Sequence, residues 1–212
     1  MPVLRGSITL ARFRVELAPD SPKDPAKWLA RGLRTKAFEP LDPRKPDEER
    51  AAGFVELEDP DAVEFSPGRL YQGEHALFAW RIDTVRIPGA ALRSELEKWG
   101  HAFTKEKGRS PSRGEKAESR AAIRQTLRSR TVPGTAVHDV SWNLREGTLF
   151  VWASSRKVVE EIQIALEEAA PVRLVPMTPS AKAKQNEVPD DALKPTAELL
   201  GVAESEVPHG QA

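Results

Sequence analysis

Between Thr104 and Arg130 the chain reads TKEKGRSPSRGEKAESRAAIRQTLRSR, a stretch whose cations are numerous and regularly spaced enough to hold phosphates. Nine residues are basic: Lys105, Lys107, Arg109, Arg113, Lys116, Arg120, Arg124, Arg128 and Arg130. Only Glu106, Glu115 and Glu118 oppose them, so nine minus three leaves +6, whereas the whole chain balances 32 basic against 32 acidic residues. Charge segregated in this way fits an anionic partner, most commonly a phosphate backbone, or else a solvated helix face. Lys116, Arg120, Arg124 and Arg128 recur every fourth residue. On a helix they form one row of about 18 Å at ~1.5 Å rise per residue, enough to follow several phosphates of a duplex. Arginine dominates the row, and its planar fork favours bidentate phosphate recognition. No Asn or Gln pair suited to base edges lies along it, so contact with the backbone is expected and base reading is not.

Other chemistries leave little trace. The absence of cysteine rules out disulfides, thiolate metal sites and cysteine nucleophiles. The four histidines, His75, His101, His138 and His209, are scattered, and no phosphate-binding, dinucleotide, nucleophile-elbow or zincin motif occurs. Glu56, Glu58, Asp59, Asp61 and Glu64 concentrate negative charge but lack the alternating spacing of a calcium loop, so they read as a solvated connector and no metal is expected. Asp83 and Asp139 supply a carboxylate pair for an alternative reading, a magnesium-dependent nuclease. The expectation remains a protein without catalytic residues or cofactor.

These residues need elements to position them. Hydrophobic residues at 39% and charged residues at 30% allow a real core with polar linkers. Alternation over Val3 to Leu17 predicts a strand bulged near Ala11 and Arg12, followed by Asp24-Pro25 opening a short helix with Trp28, Leu29 and Leu33 on one side. After the proline-rich loop from Glu39 to Arg50, a strand is expected over FVELE. Leu70 to Pro88 fits either two strands turning near Asp83-Thr84 or one long strand entered through Gly73.

A helix from Pro88 to Lys107 carries Leu92, Leu96, Trp99 and Phe103 as a core stripe. Gly108 to Pro111 breaks it, and Ser112 with Glu115 forms a capping box for the basic helix. A hairpin turning at Arg145-Glu146-Gly147, a helix capped by Ser154-Ser155 and the strand VRLVP complete a β-β-α-β order. The reading is α+β, with mixed or antiparallel sheets and flanking helices. It divides the chain into an N-terminal α+β region (1–88), a helical pair with a basic face (89–131), a β-β-α-β region (132–177) and a disordered acidic tail (178–212) that has one short helix around Pro195 to Leu200. No signal-like leader or long apolar run is present, so a soluble cytoplasmic protein is expected.

Several blocks together resemble the RdgC family, the bacterial recombination-associated proteins. They are R-I-D-x-x-x-I-P-x-x-A-L (Arg81 to Leu92), G-R-x-x-x-R-x-E-K (Gly108 to Lys116), W-N-x-x-x-G-x-L-x-V-x-A-S-S-x-K (Trp142 to Lys157) and V-R-L-V-P (Val172 to Pro176). The likeness covers roughly Leu77 to Pro176 and is to a short form, because typical members continue as folded chain beyond the equivalent of Pro176. It implies a non-enzymatic, nucleoid-associated homodimer, ring- or clamp-like, that binds double-stranded DNA with little sequence preference and restrains recombinase filaments. The residues that would face DNA are the nine cations named above. An alternative reading is an interaction protein without a nucleic-acid role, whose basic face docks an acidic protein partner.

Overall fold

The computed structural model describes residues 9–178 apart from 20, 21, 23, 43, 44, 46 and 47, together with 183 and 186–189. The beginning of the expected first strand, most of the acidic tail and its short helix at Pro195 to Leu200 lie outside the described residues.

Alternating apolar residues make β1 (Ala11–Leu17), β2 (Arg50–Glu56), the short β3 (Tyr71–Gln72), β4 (His75–Thr84), β5 (Gly134–Asn143), β6 (Thr148–Val151) and β7 (Val172–Pro176). All are neighbours in one antiparallel sheet of order β2-β4-β5-β6-β1-β7, with β3 paired to the start of β4. The expected α+β class holds, with a wholly antiparallel sheet. The first and third sequence regions share it, because β4 pairs with β5 over its whole length and β1 inserts between β6 and β7.

One face of the sheet carries Phe54, Phe78, Trp80, Val140, Trp142, Leu149 and Val151 into the core. Two helices close over it: α1 (Leu29–Thr35) with Leu29 and Leu33, and α5 (Arg156–Ala169) with Ile162 and Leu166. Trp28 packs on Trp142 with ring centroids 6.0 Å apart, and Phe54 meets Trp80 edge-on at 4.7 Å. Asp24 caps a short 3-10 turn, Pro25–Lys27, ahead of α1, as Asp24-Pro25 predicts, and the helix is shorter than the sequence pattern implies.

Both sheet edges are covered. The main chain of Phe38 donates to the carbonyl of Phe54, and the amide of Phe54 donates to that of Lys36, both at 2.9 Å, which seals β2. Gly53 permits this approach, since a Cβ there would lie 2.4 Å from the Phe38 nitrogen. At β7, Glu167 accepts from the amide of Leu174 at 2.7 Å and Gln163 donates to its carbonyl at 3.1 Å. With the outward amide and carbonyl of Leu174 engaged by side chains, this edge is a poorer template for pairing with another chain.

Leu70 to Pro88 adopts the second of its two expected forms: Gly73, at φ +61°, turns β3 into the long β4. Ser155 sits at the N-cap of α5 but makes no side-chain cap bond. In the β5–β6 turn Asn143 Oδ1 accepts from the amides of Arg145 and Glu146. The acidic connector is not wholly solvated as expected. Glu56 is 4% exposed and accepts from the amide of Ser66 at 3.1 Å and from Arg69 Nη1 at 2.9 Å. Four residues, α2 (Pro67–Leu70), bring Arg69 to it.

Candidate nucleic-acid interface

The basic segment forms a helical arm inserted between two strands that are themselves paired, with Thr84 opposite Gly134 at its root. The arm consists of α3 (Gly89–Lys107) and α4 (Arg113–Arg130), packed on each other. Gly108 in the left-handed region at φ +66° ends α3, and the capping box starts α4, with the Glu115 amide donating to Ser112 Oγ and the Ser112 amide to Glu115 Oε2. Both ends are as the sequence predicts.

The stripe Leu92, Leu96, Trp99 and Phe103 is not core, contrary to expectation: each remains half-exposed, and no residue of α3 is buried. Two helices alone cannot enclose an apolar seam, so Trp99 and Phe103 pack on each other with centroids 5.3 Å apart and rings tilted by 44°, and leave part of their surface open. A cleft of about 310 Å³ opens here, lined by Leu96, Glu97, Trp99, Gly100, Pro111, Lys116 and Arg120.

The nine cations divide into distinct groups. Arg128 departs most from expectation: it is 7% exposed and turned inward, with Nη2 donating to the carbonyls of Glu48 at 2.6 Å and Asp42 at 3.3 Å. It fixes the C-terminal end of α4 to the loop before β2 and cannot also face phosphate. Arg124, one turn earlier, forms an exposed ion pair with Glu49. Arg109 forks onto Glu115 at 2.9 and 2.7 Å and lies over the Phe103 ring at 5.2 Å. With this guanidinium and the Ser112 groups bonded to it, Glu115 is lowered to about 2 and stays ionised. Lys107 lies 3.2 Å from the neighbouring Glu106.

Lys105, Arg113, Lys116, Arg120 and Arg130 are exposed and form no ion pair among the described residues. Arg113, Lys116 and Arg120 share one face of α4, at i, i+3 and i+7. This row covers about 10 Å of helix, comparable to three phosphates along one strand at ~3.4 Å of axis each. The usable cation row is thus shorter than the sequence pattern and displaced toward the turn of the arm. Sequence reasoning missed Glu49, whose position beside Arg124 follows only from the loop that Arg128 anchors.

The alternative carboxylate site does not assemble. Asp83 is 6% exposed, paired with Arg81 at 2.9 Å and accepting from Thr135 Oγ1 at 2.8 Å. Burial raises its pKa, but these partners outweigh it and hold the group below its ordinary value. Arg81 continues over the Phe38 ring at 4.4 Å and reaches Asp61 and the Pro60 carbonyl, so it closes a small second core of Phe38, Val55 and Ala79. Asp139 pairs with Ala79, four residues along β4 from Asp83, or about 14 Å at ~3.4 Å per residue. Among the described residues no group of three or more His, Cys, Asp or Glu is placed to hold a metal ion, and no helix is long and apolar enough to cross a membrane. No protein-family model and no curated protein sequence matches the chain.

Proposed function

We propose that the chain binds double-stranded DNA without sequence preference through the α3–α4 arm, and that it acts in homologous recombination by restraining recombinase filaments. The observation that carries the DNA reading is the row Arg113, Lys116 and Arg120, exposed and unpaired on a helix whose start is rigidly capped, with Lys105 and Lys107 at the adjoining end of α3. Cations held in a fixed row and in no ion pair among the described residues can exchange solvent for phosphate, which is the electrostatic requirement for backbone binding. The recombination role and the ring- or clamp-like homodimer rest on the resemblance to the RdgC family. The half-exposed Leu96, Trp99 and Phe103 add support for self-association, since a second arm would cover them.

The test is a titration of duplex DNA against salt. The intact chain should show affinity falling steeply with salt, with a log–log slope of about −0.9 per phosphate neutralised. Replacing Arg113, Lys116 and Arg120 by alanine should weaken binding and flatten that slope by roughly 2 to 3. Unchanged affinity and slope would refute the assignment. Retention on an acidic protein partner, with no duplex binding at moderate salt, would favour the docking reading. Cleavage of DNA with magnesium that vanished on mutating Asp83 or Asp139 would favour the nuclease reading.

A further inference from the structure

The sheet has a second face, turned away from α1 and α5, and its residues follow from the strand registers. Along β6 Leu149 and Val151 point into the core at 0% exposure, and Ala153 follows them at 5%. Phe150 and Trp152, on the opposite phase, are half-buried and belong to neither hydrophobic cluster. The main chain of Trp152 donates to the Asp139 carbonyl at 2.9 Å, so the pairing of β5 with β6 continues regularly to this residue. Two aromatic side chains therefore stand side by side on one sheet face, about 7 Å apart at ~3.4 Å per residue.

Their neighbours are specified by register. Arg12 on β1 lies directly opposite Phe150, and beyond Phe150 come Ser141 on β5 and Leu77 on β4, all in one row. The next row toward the β5–β6 turn holds Arg14 opposite Thr148. Arg173 on β7 faces Glu16, and Asp139 faces Trp152 from β5. Arginine outnumbers carboxylate on this part of the sheet three to two, and the exposed Arg12 is the cation next to the aromatics.

We infer that this face is a binding platform for single-stranded nucleic acid, with bases stacking on Phe150 and Trp152, Arg12 holding the adjacent phosphate, and Ser141 and Asp139 within reach of base edges. The chemistry selects this occupant. Half-exposed aromatic side chains on a sheet face offer stacking to bases that are not paired, and a duplex presents its backbone where the platform has few cations. The spacing of two residues along a strand matches the step between successive nucleotides of an extended single strand. The arm differs in character: its cations form a row on α4, which itself carries no aromatic residue, and the nearby Trp99 belongs to α3. The two surfaces thus divide between duplex and single strand, and neither reading depends on the other.

The experiment is fluorescence anisotropy on the full chain with a labelled oligothymidylate, an oligouridylate and a mixed-sequence duplex. The double variant F150A/W152A should lose roughly tenfold or more in affinity for the single strands, since each stacked base contributes strongly, while duplex affinity stays within about twofold. The variant K116A/R120A should do the opposite. F150L/W152L keeps apolar volume without the rings and should lose binding like the alanine pair, whereas F150Y/W152F should retain it. These variants keep the test decisive if the alanine pair does not fold. Comparing the thymidylate and uridylate arms tells whether DNA or RNA is held. The inference is overturned if the wild-type chain binds neither oligomer, if the leucine pair binds them as tightly as wild type, or if ring removal changes the oligomeric state in light scattering and leaves single-strand affinity intact.

Discussion

Arg128 Nη2 donates to the backbone carbonyl of Glu48 at 2.6 Å, which joins the end of the basic helix to the loop leading into β2. A cation placed by spacing among the surface row is thereby a buried strut. Replacing it by alanine removes a charged donor and leaves the carbonyls of Glu48 and Asp42 without it, a loss of about 2–3 kcal/mol. In a chain of this size that lowers Tm by roughly 5–10 °C. Arg120→Ala, on the same helix and exposed, should change stability by no more than ~0.5 kcal/mol. Urea or thermal unfolding of the two variants checks this, and equal stability would show that Arg128 is not a strut.

Acid should weaken the fold through Glu56. Burial raises its pKa, but the Arg69 hydrogen bond, the backbone amides of Ser66 and Phe65 and the Arg69 charge outweigh it, leaving the group below its ordinary 4.5. A carboxyl depressed in the folded state contributes stability that is fully present above the ordinary value and is lost as pH falls through the folded one. Asp83, held down by Arg81 and Thr135 from 3.8, acts in the same direction. Urea midpoints should therefore drop as pH falls from 4.5, and Glu56→Gln should lower stability at neutral pH while flattening that acid limb. A variant as steeply acid-sensitive as wild type would remove Glu56 from this role.

Gly53→Ala should open the edge of the sheet. The added Cβ would meet Phe38 N and Cα at 2.4 Å and the Ala37 carbonyl carbon at 2.6 Å, all backbone atoms that cannot swing aside. Overpacking of this kind costs about 1–3 kcal/mol. Gly68→Ala serves as the control, because nothing lies within 4 Å of its Cβ position, and it should be neutral or slightly stabilising. Hydrogen exchange at the Phe38 and Phe54 amides gives the local readout, with faster exchange expected only in the Gly53 variant.

What the sequence made legible was whatever depends on near neighbours. The capping box of Ser112 and Glu115, the stop at Gly108 and the turn through Gly147 are local patterns, and each is found where the pattern puts it. Arg128, Glu56 and Phe103 were misplaced because their environment is set by chain far away. The loop at Glu48 captures Arg128 from 80 residues off, and Arg69 buries Glu56 from 13 residues away. Phe103 lacks a third element to cover it, which periodicity alone cannot reveal.

Glu49 acts on the arm through Arg124, and its removal offers a gain of function. The pair is exposed on both sides, so breaking it should alter stability by less than ~1 kcal/mol. Glu49→Gln would release the Arg124 guanidinium to extend the row formed by Arg113, Lys116 and Arg120. Duplex affinity should then rise several-fold, with the log–log salt slope steeper by about 0.9, the value of one further phosphate contact. The gain should disappear when Arg124→Ala is added, because the released cation is then gone. If E49Q tightens binding equally in the R124A background, the effect is only loss of negative charge near the duplex, and Arg124 does not make the contact.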